Sequence, residues 1–513
     1  MHAITRRRFL EMSSATALYT LSGGVPRRPQ EVVALPVPPL LEGRRDGDAV
    51  LYDLTAQRGR REILPGLSTD TFGFNGDMLG PVLRLTRGET VQLNVTNRLG
   101  EPTTCHWHGM HVPAIADGGP HQIIPDDATW RASFTVANEE ATYWYHSHLM
   151  ERTGEQVYKG LAGMIIVDDP ELESLELPRR YGIDDFPLVV QDRRFAADGS
   201  LLYLQAGMDA MMGMLGNSLL VNGALTPTLR APAQLVRMRL LNGSNARIYD
   251  FGFDDYRPFF IIASDGGLLP APLSRRRLSM ATGERYEIVV DLSNDAGVTL
   301  SLRSYPQGDG EGFPVLDVEV DGDIETVAAR LPETLRPVPT IDAATIDNTR
   351  EMVLSMGMMG GMGRGGMMGG RGMGGGGMGG GGMGGGGMGG GGRGMPGRGP
   401  GGFTINGVSM DMGVVNETVR LGAVEEWRIV NRSPMTHPFH IHDVQFLVRS
   451  RNGNAPPAHE RGWKDTVQVR PQETVAILAH FVDYADPVNP YMYHCHILEH
   501  EDRGMMGQFV VVE

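Results

Sequence analysis

Val82-Leu83-Arg84-Leu85-Thr86-Arg87-Gly88-Glu89-Thr90-Val91-Gln92-Leu93-Asn94-Val95 holds two short apolar-rich runs joined by a turn at Arg87-Gly88. In the second run the odd positions are apolar and the even ones polar. Side chains on a strand alternate between faces, so this is the pattern of a half-buried β-strand with its polar side in water. Runs of the same kind recur at Met164-Ile165-Ile166-Val167, Leu235-Val236-Arg237-Met238-Arg239-Leu240, Glu287-Ile288-Val289-Val290, Trp427-Arg428-Ile429-Val430 and Phe509-Val510-Val511-Val512. Long helical periodicity is scarce. Many short strands broken by Gly and Pro predict an all-β chain of Greek-key sandwiches or barrels.

The strands fall into three blocks. Asp168-Asp169-Pro170 closes the first, the second ends near Val320, and the linker-like Leu331-Pro332 to Pro339 precedes the third. Each block has an Asn-Gly turn near its start (Asn75-Gly76, Asn222-Gly223, Asn406-Gly407) and then a strand ending in Asn (Asn97, Asn242, Asn431). That order predicts three copies of one sandwich unit, over 35–170, 180–330 and 340–513. A length of 513 residues suits about three domains.

A formal charge of −15 argues against nucleic acid or anionic lipid as the main partner. Two cysteines exclude a disulfide scaffold, and no run of 18 apolar residues marks a membrane span. At the start, Arg6-Arg7-Arg8-Phe9-Leu10 precedes a modestly apolar stretch. This reads as a twin-arginine-type signal over 1–28 and predicts a periplasmic or other extracytoplasmic location. A plain basic tail is the alternative.

Glycine (70) and methionine (30) are in excess because residues 356–402 are a Gly/Met insert, with Met373, Met378, Met383 and Met388 five apart. Glycine costs about 1 kcal/mol per helical residue against alanine, so a coil is expected there. A coil of that length has an r.m.s. span of roughly 35–40 Å. Thioether sulfur is a soft ligand suited to Cu(I), which predicts an additional labile copper at the insert. A spacer that tolerates methionine is the alternative.

Eight of the fifteen histidines form four His-x-His pairs: His106/His108, His146/His148, His440/His442 and His494/His496. On a strand, residues i and i+2 share a face, so each pair presents two imidazoles together. Eight rings are too many for one metal but suit three coppers sharing them as three, three and two. Cys495, between the last pair, points to the opposite face. His500 follows it by five residues and Met505 by ten. That is the ligand order of a blue-copper site, which needs a second histidine; His437 is the natural candidate.

These motifs resemble the multicopper oxidases, most nearly the bacterial periplasmic copper-efflux oxidases and then the spore-coat laccases. The likeness runs from about residue 35 to the end. It includes Leu79-Gly80-Pro81, His106-Trp107-His108-Gly109, Asp117-Gly118-Gly119-Pro120, Gly160-Leu161-Ala162-Gly163, Phe403-Thr404-Ile405-Asn406-Gly407 and His437-Pro438-Phe439-His440-Ile441-His442. It implies three cupredoxin domains holding four copper ions, with the trinuclear site between the first and third. His437, Cys495, His500 and Met505 would be type 1 ligands, and His106 and His440 type 2. His108, His146 and His496 would hold one type 3 copper, and His148, His442 and His494 the other. The likeness also implies that Asp117 and Glu501 supply protons for making water. A turn-forming Asp and a surface Glu are the alternatives.

The insert departs from the helical Met- and His-bearing segment of the close relatives. Ser433 stands where they tend to carry an acid near the substrate copper. Met435 is a candidate substrate ligand or a packing residue. Met208, Met211, Met212 and Met214 form a second methionine cluster read as packing, with binding the alternative; Cys105 reads as a buried thiol, and His111, His121, His459 and His480 stay unassigned. The expected activity is oxidation of Cu(I) coupled to reduction of O2, for copper tolerance, in a monomer without stable membrane insertion. A laccase acting on phenols and aromatic amines, and a non-catalytic copper-binding or scaffold protein, are the alternatives.

Overall fold

The computed structural model describes residues 33–306, 312–322, 330–357 and 402–513. The leader expected over 1–28, and all of the Gly/Met insert but its first two residues and its last, lie outside them. From Ala34 to Glu513 the chain is one unit of six sheets facing each other in pairs, so the all-β expectation holds. Three sandwiches result, each around its own apolar core. In the first, Leu85, Val91, Leu93, Val95, Trp107 and Tyr145 are buried together. The strand Thr90–Arg98 alternates strictly, with Val91, Leu93 and Val95 inside. Among the described residues no helix is long and apolar enough to cross a membrane.

The repeat read from the Asn residues is physical. Asn75, Asn222 and Asn406 all take the left-handed conformation, with φ of 55°, 51° and 54°, which asparagine tolerates better than most residues. Their side-chain carbonyls accept the N–H of Thr55 at 2.6 Å, Val189 at 2.8 Å and Val353 at 2.7 Å. The second set is equally uniform. Buried Asn97, Asn242 and Asn431 each donate through Nδ2 to two backbone carbonyls and accept the N–H two residues on. Each plugs the end of a strand where backbone groups would otherwise be orphaned.

One expectation fails in the second sandwich. Arg237 and Arg239 occupy the polar positions of an alternating strand but are buried, not solvated. Charged partners meet them on that face. Arg239 holds Asp185 through two bonds of 2.8 Å and Glu287 through another of 2.8 Å, and Arg237 Nε donates to the other Glu287 oxygen at 2.8 Å. Thr142 of the first sandwich donates to Glu287 at 2.6 Å, so the network joins the two sandwiches.

Burial works against ionisation of Glu287, but Arg237 and Arg239 outweigh it and hold the carboxyl at about 2. A depressed acid stabilises the fold above its ordinary value and loses that contribution as pH falls through the folded one. Removing one side of a buried pair costs about 3–5 kcal/mol. Glu287→Gln should therefore lose about that much in denaturant titrations at neutral pH. The difference from wild type should shrink as pH drops from about 4.5 toward 2. A constant difference across that range would show that the carboxylate charge is not what matters.

Candidate metal centre

The histidine pairs meet because two antiparallel registers put them side by side. His106 faces His146 across the strands His106–His108 and Ala141–His146, and His440 faces His494 across His437–Ile441 and Asp486–Cys495. The first and third sandwiches then bring the two sets together. His106 stacks on His442 with ring centroids 3.8 Å apart, and His108 on His440 at 3.7 Å. All eight rings are buried. Ligand-type nitrogens cluster within 4.8 Å as His106/His108/His146, His106/His440/His442 and His148/His442/His494.

Hydrogen bonds fix which nitrogen is free in six of the eight rings, all but His148 and His496. Backbone carbonyls can only accept, so Nδ1–H of His106, His146 and His440 donates to Asp117, Ser147 and Asp465 at 2.9, 2.8 and 2.8 Å. Their Nε2 atoms carry lone pairs and have no partner among the described residues. His108 is reversed: Nε2 lies 3.1 Å from the Asp465 carboxylate, and Nδ1 is unpaired. His442 spends Nδ1–H on Asp117 Oδ2 at 2.8 Å. Nδ1 of both His148 and His494 lies 3.2 Å from Glu501 oxygens. Three Nε2 atoms remain, with His494 at 3.2 Å from His148 and 3.3 Å from His442. Lone pairs at that separation repel unless a cation lies among them. Burial, reinforced by neighbouring imidazoles, pushes these three rings and His108, His146 and His440 well below the ordinary histidine value. Burial also takes His496 down to about 3. Neutral imidazole is the metal-binding form.

A second group sits on the other side of Cys495. Its sulfur lies 3.2 Å from His437 Nδ1 and 3.7 Å from His500 Nδ1. Outer contacts again spend the second nitrogen: His437 Nε2 meets Ser433 Oγ at 2.7 Å, and His500 Nε2 donates to the Met211 carbonyl at 2.9 Å. Met505 is buried in the same core, its N–H bonded to the His500 carbonyl at 2.9 Å, and Phe403 stacks on His500 at 4.3 Å. Burial raises the Cys495 thiol well above its ordinary value. A thiolate here needs a cation beside it. Both groups thus fit copper by their donor chemistry: imidazoles with inward lone pairs, and a thiolate with two Nδ1 atoms and a thioether in its core.

The twelve side chains expected as ligands fall into these two groups. Asp117 and Glu501 lie against the imidazoles, and Glu501 is 1% exposed, which removes the surface alternative. Ser433 holds a ring of the thiolate group. Met435 is half-buried against the third core, and Cys105 is a buried thiol of the first. His111 pairs with Asp483 and Gln445, and His121 with Gln508. The methionine cluster does not pack as expected. Only Met214 is fully buried, whereas Met208 and Met212 are exposed, because the short helix Gly207–Met212 turns them outward.

Sequence reasoning missed Asp465 and Arg285. Arg285, from the second sandwich, donates from Nη1 to Asp465 at 2.7 Å, and Asp465 orients His108. Neither sits in a histidine motif, so no local signal marks them. Asp465→Asn would take from buried Arg285 the closer of its two carboxylates, leaving Asp265 at 3.8 Å, a loss of about 3–5 kcal/mol in a denaturant titration. Asp465→Glu should recover part of it; equal losses would assign the cost to shape rather than charge.

Family profiles described as Multicopper oxidase match residues 55–172 and 393–513. The chain is 35% identical to the cell division protein FtsP of Salmonella typhimurium over 515 aligned residues, 99% of each chain. It is 34% identical to FtsP of Escherichia coli K12 over the same span and coverage. Among solved structures it is similar to a laccase-like multicopper oxidase, CueO, of an Ochrobactrum species, described as active towards lignin model compounds and lignosulfonate. That match has a TM-score of 0.80 at 35% identity and covers 93% of this chain and 100% of the other. McoA multicopper oxidase of Aquifex aeolicus matches with a TM-score of 0.78 at 31% identity, over 94% and 99%.

Proposed function

The chain belongs to the multicopper oxidase family, and on that footing we propose that it is a four-copper oxidase, oxidising Cu(I) and reducing O2 to water. One observation carries this reading: buried imidazole nitrogens with their lone pairs turned on one another, beside a buried thiol flanked by two Nδ1 atoms. A protein that held no metal would gain nothing from that arrangement. Bound copper would supply one-electron chemistry at the Cys495 group and reduction of O2 at the imidazole group. The Gly/Met insert, rich in thioethers suited to Cu(I), supports Cu(I) as the electron donor.

The residues share the work. His437, Cys495, His500 and Met505 form the electron-entry group. Cys495 lies between His494 and His496 in the chain, so its sulfur is joined through covalent bonds to two rings of the other group. His106 and His440 would hold the type 2 ion, and His108, His146, His496, His148, His442 and His494 the type 3 pair. Asp117 keeps the His442 ring in its Nε2-ligating form. Its Oδ1 is buried, accepts no hydrogen bond among the described residues and lies 3.4 Å from His106 Nδ1, a station from which a proton can be passed inward. Burial, with Asp502 adding to it, raises the Glu501 carboxyl well above the ordinary range, which favours its protonated form beside His148 and His494. The Arg6-Arg7 leader supports export of the folded chain to the periplasm.

Two further readings have support. Similarity to the Ochrobactrum enzyme favours a laccase acting on phenols. Identity of 35% over 99% of a protein named for cell division favours a structural role on this fold.

Copper analysis of the loaded full-length chain, with O2 uptake on Cu(I) and on a phenol, separates them. About four coppers, a blue colour and faster turnover on Cu(I) are expected. Faster turnover on the phenol would favour the laccase, and little bound copper with no O2 uptake the structural role. Cys495→Ser should retain about three coppers but lose the colour and both activities. Asp117→Asn should let the blue centre be reduced normally while O2 turnover slows about 10²-fold or more. Normal turnover would remove Asp117 from proton supply.

A further inference from the structure

The six-residue helix Gly207–Met212 presents soft ligands to solvent and is hydrogen-bonded to the electron-entry group through Met211. Met208 and Met212 are one turn apart, so their side chains share a face. They are 60% and 43% exposed, and Leu215 beside them is 39% exposed. Packing does not explain such exposure. Nor is the helix loose: Arg194 bridges to Asp209 at 2.7 Å, and the Asp209 carboxylate accepts the Ala206 N–H at 3.0 Å.

The ligand loop fixes its far end. The Met211 carbonyl accepts Nε2–H of His500 at 2.9 Å, and the Met214 N–H donates to Glu499 Oε2 at 2.9 Å. Glu499 is itself held by Asn245 at 2.7 Å and Tyr203 at 3.1 Å. The peptide linking Met211 to Met212 is thus hydrogen-bonded to the ring beside Cys495.

We infer that Met208 and Met212 form a surface site that captures Cu(I) and passes its electron inward through the Met211 carbonyl to His500. The inference rests on the oxidase reading and names an entry point for its substrate. Two neutral thioethers select Cu(I) over harder divalent ions. The one carboxylate on the helix, Asp209, is engaged by Arg194. Each captured Cu(I) loses one electron and leaves as Cu(II), for which thioethers are poor ligands. Four such electrons and four protons convert one O2 to two waters, so the cycle balances with the acceptor already proposed. A phenol has no use for the thioethers, so the site sets donor preference.

Two measurements on the full-length, copper-loaded chain test this. Leucine replaces methionine at nearly constant volume, and Met208→Leu/Met212→Leu should raise KM for Cu(I) relative to KM for a phenol about ten-fold. In protein labelled with 13C at methionine methyls, Ag(I), a redox-inert stand-in for Cu(I), should shift the Met208 and Met212 signals together, saturating at one ion. Each signal is assigned by its single leucine variant. Signals unmoved by Ag(I), or an unchanged KM ratio, would overturn the inference. If wild type takes up no O2 with either donor, the oxidase reading fails, and the Ag(I) titration alone decides the site.

Discussion

The Arg285 guanidinium reaches all three sandwiches at once. It donates to the Thr142 carbonyl of the first at 3.0 Å, to the Gly283 and Asp265 carbonyls of its own at 2.9 and 2.8 Å, and to the Asp465 carboxylate of the third. Thr142 lies in the strand that carries His146, and Asp465 orients His108 and, through its carbonyl, His440. A fully buried cation is costly to desolvate and tolerable only when every donor is matched. That demand makes the relative position of the sandwiches specific. The imidazoles of the first and third sandwiches meet across a seam that this buried ion pair joins.

The second sandwich supplies none of the expected copper ligands, yet it shares the Asn-based architecture of the other two down to individual hydrogen bonds. Its contribution is positional. Arg237, Arg239 and Glu287 clamp the first sandwich, Arg285 joins the first to the third, and Met211 and Asn245 fasten the loop bearing His500 and Glu499. Scaffold and chemistry are thereby divided between copies of one unit.

Most of the fold could be read from sequence because it depends on local signals. Period-2 runs mark the strands, and an Asn that needs a left-handed backbone marks the turns. The clustering of the histidines was legible for the same reason, since two histidines separated by one residue must share a face of a strand. What escaped was whatever depends on contacts between sandwiches. Arg237 and Arg239 look like ordinary solvated positions until Glu287 and Asp185 are seen opposite them. Asp465 is one acid among many until His108 lies 3.1 Å away. Met208 and Met212 read as core because methionine usually is, and only the orientation of a six-residue helix reveals otherwise.

Complete enclosure of the eight rings has a kinetic corollary. Their free nitrogens face a seam between sandwiches that no bulk solvent reaches, and Arg285 locks that seam. An ion lodged there cannot be exchanged by a chelator approaching from outside. It can escape only when the seam transiently parts, a sub-global opening event. Retention would then be governed by how rarely the chain breathes rather than by how tightly the ligands bind.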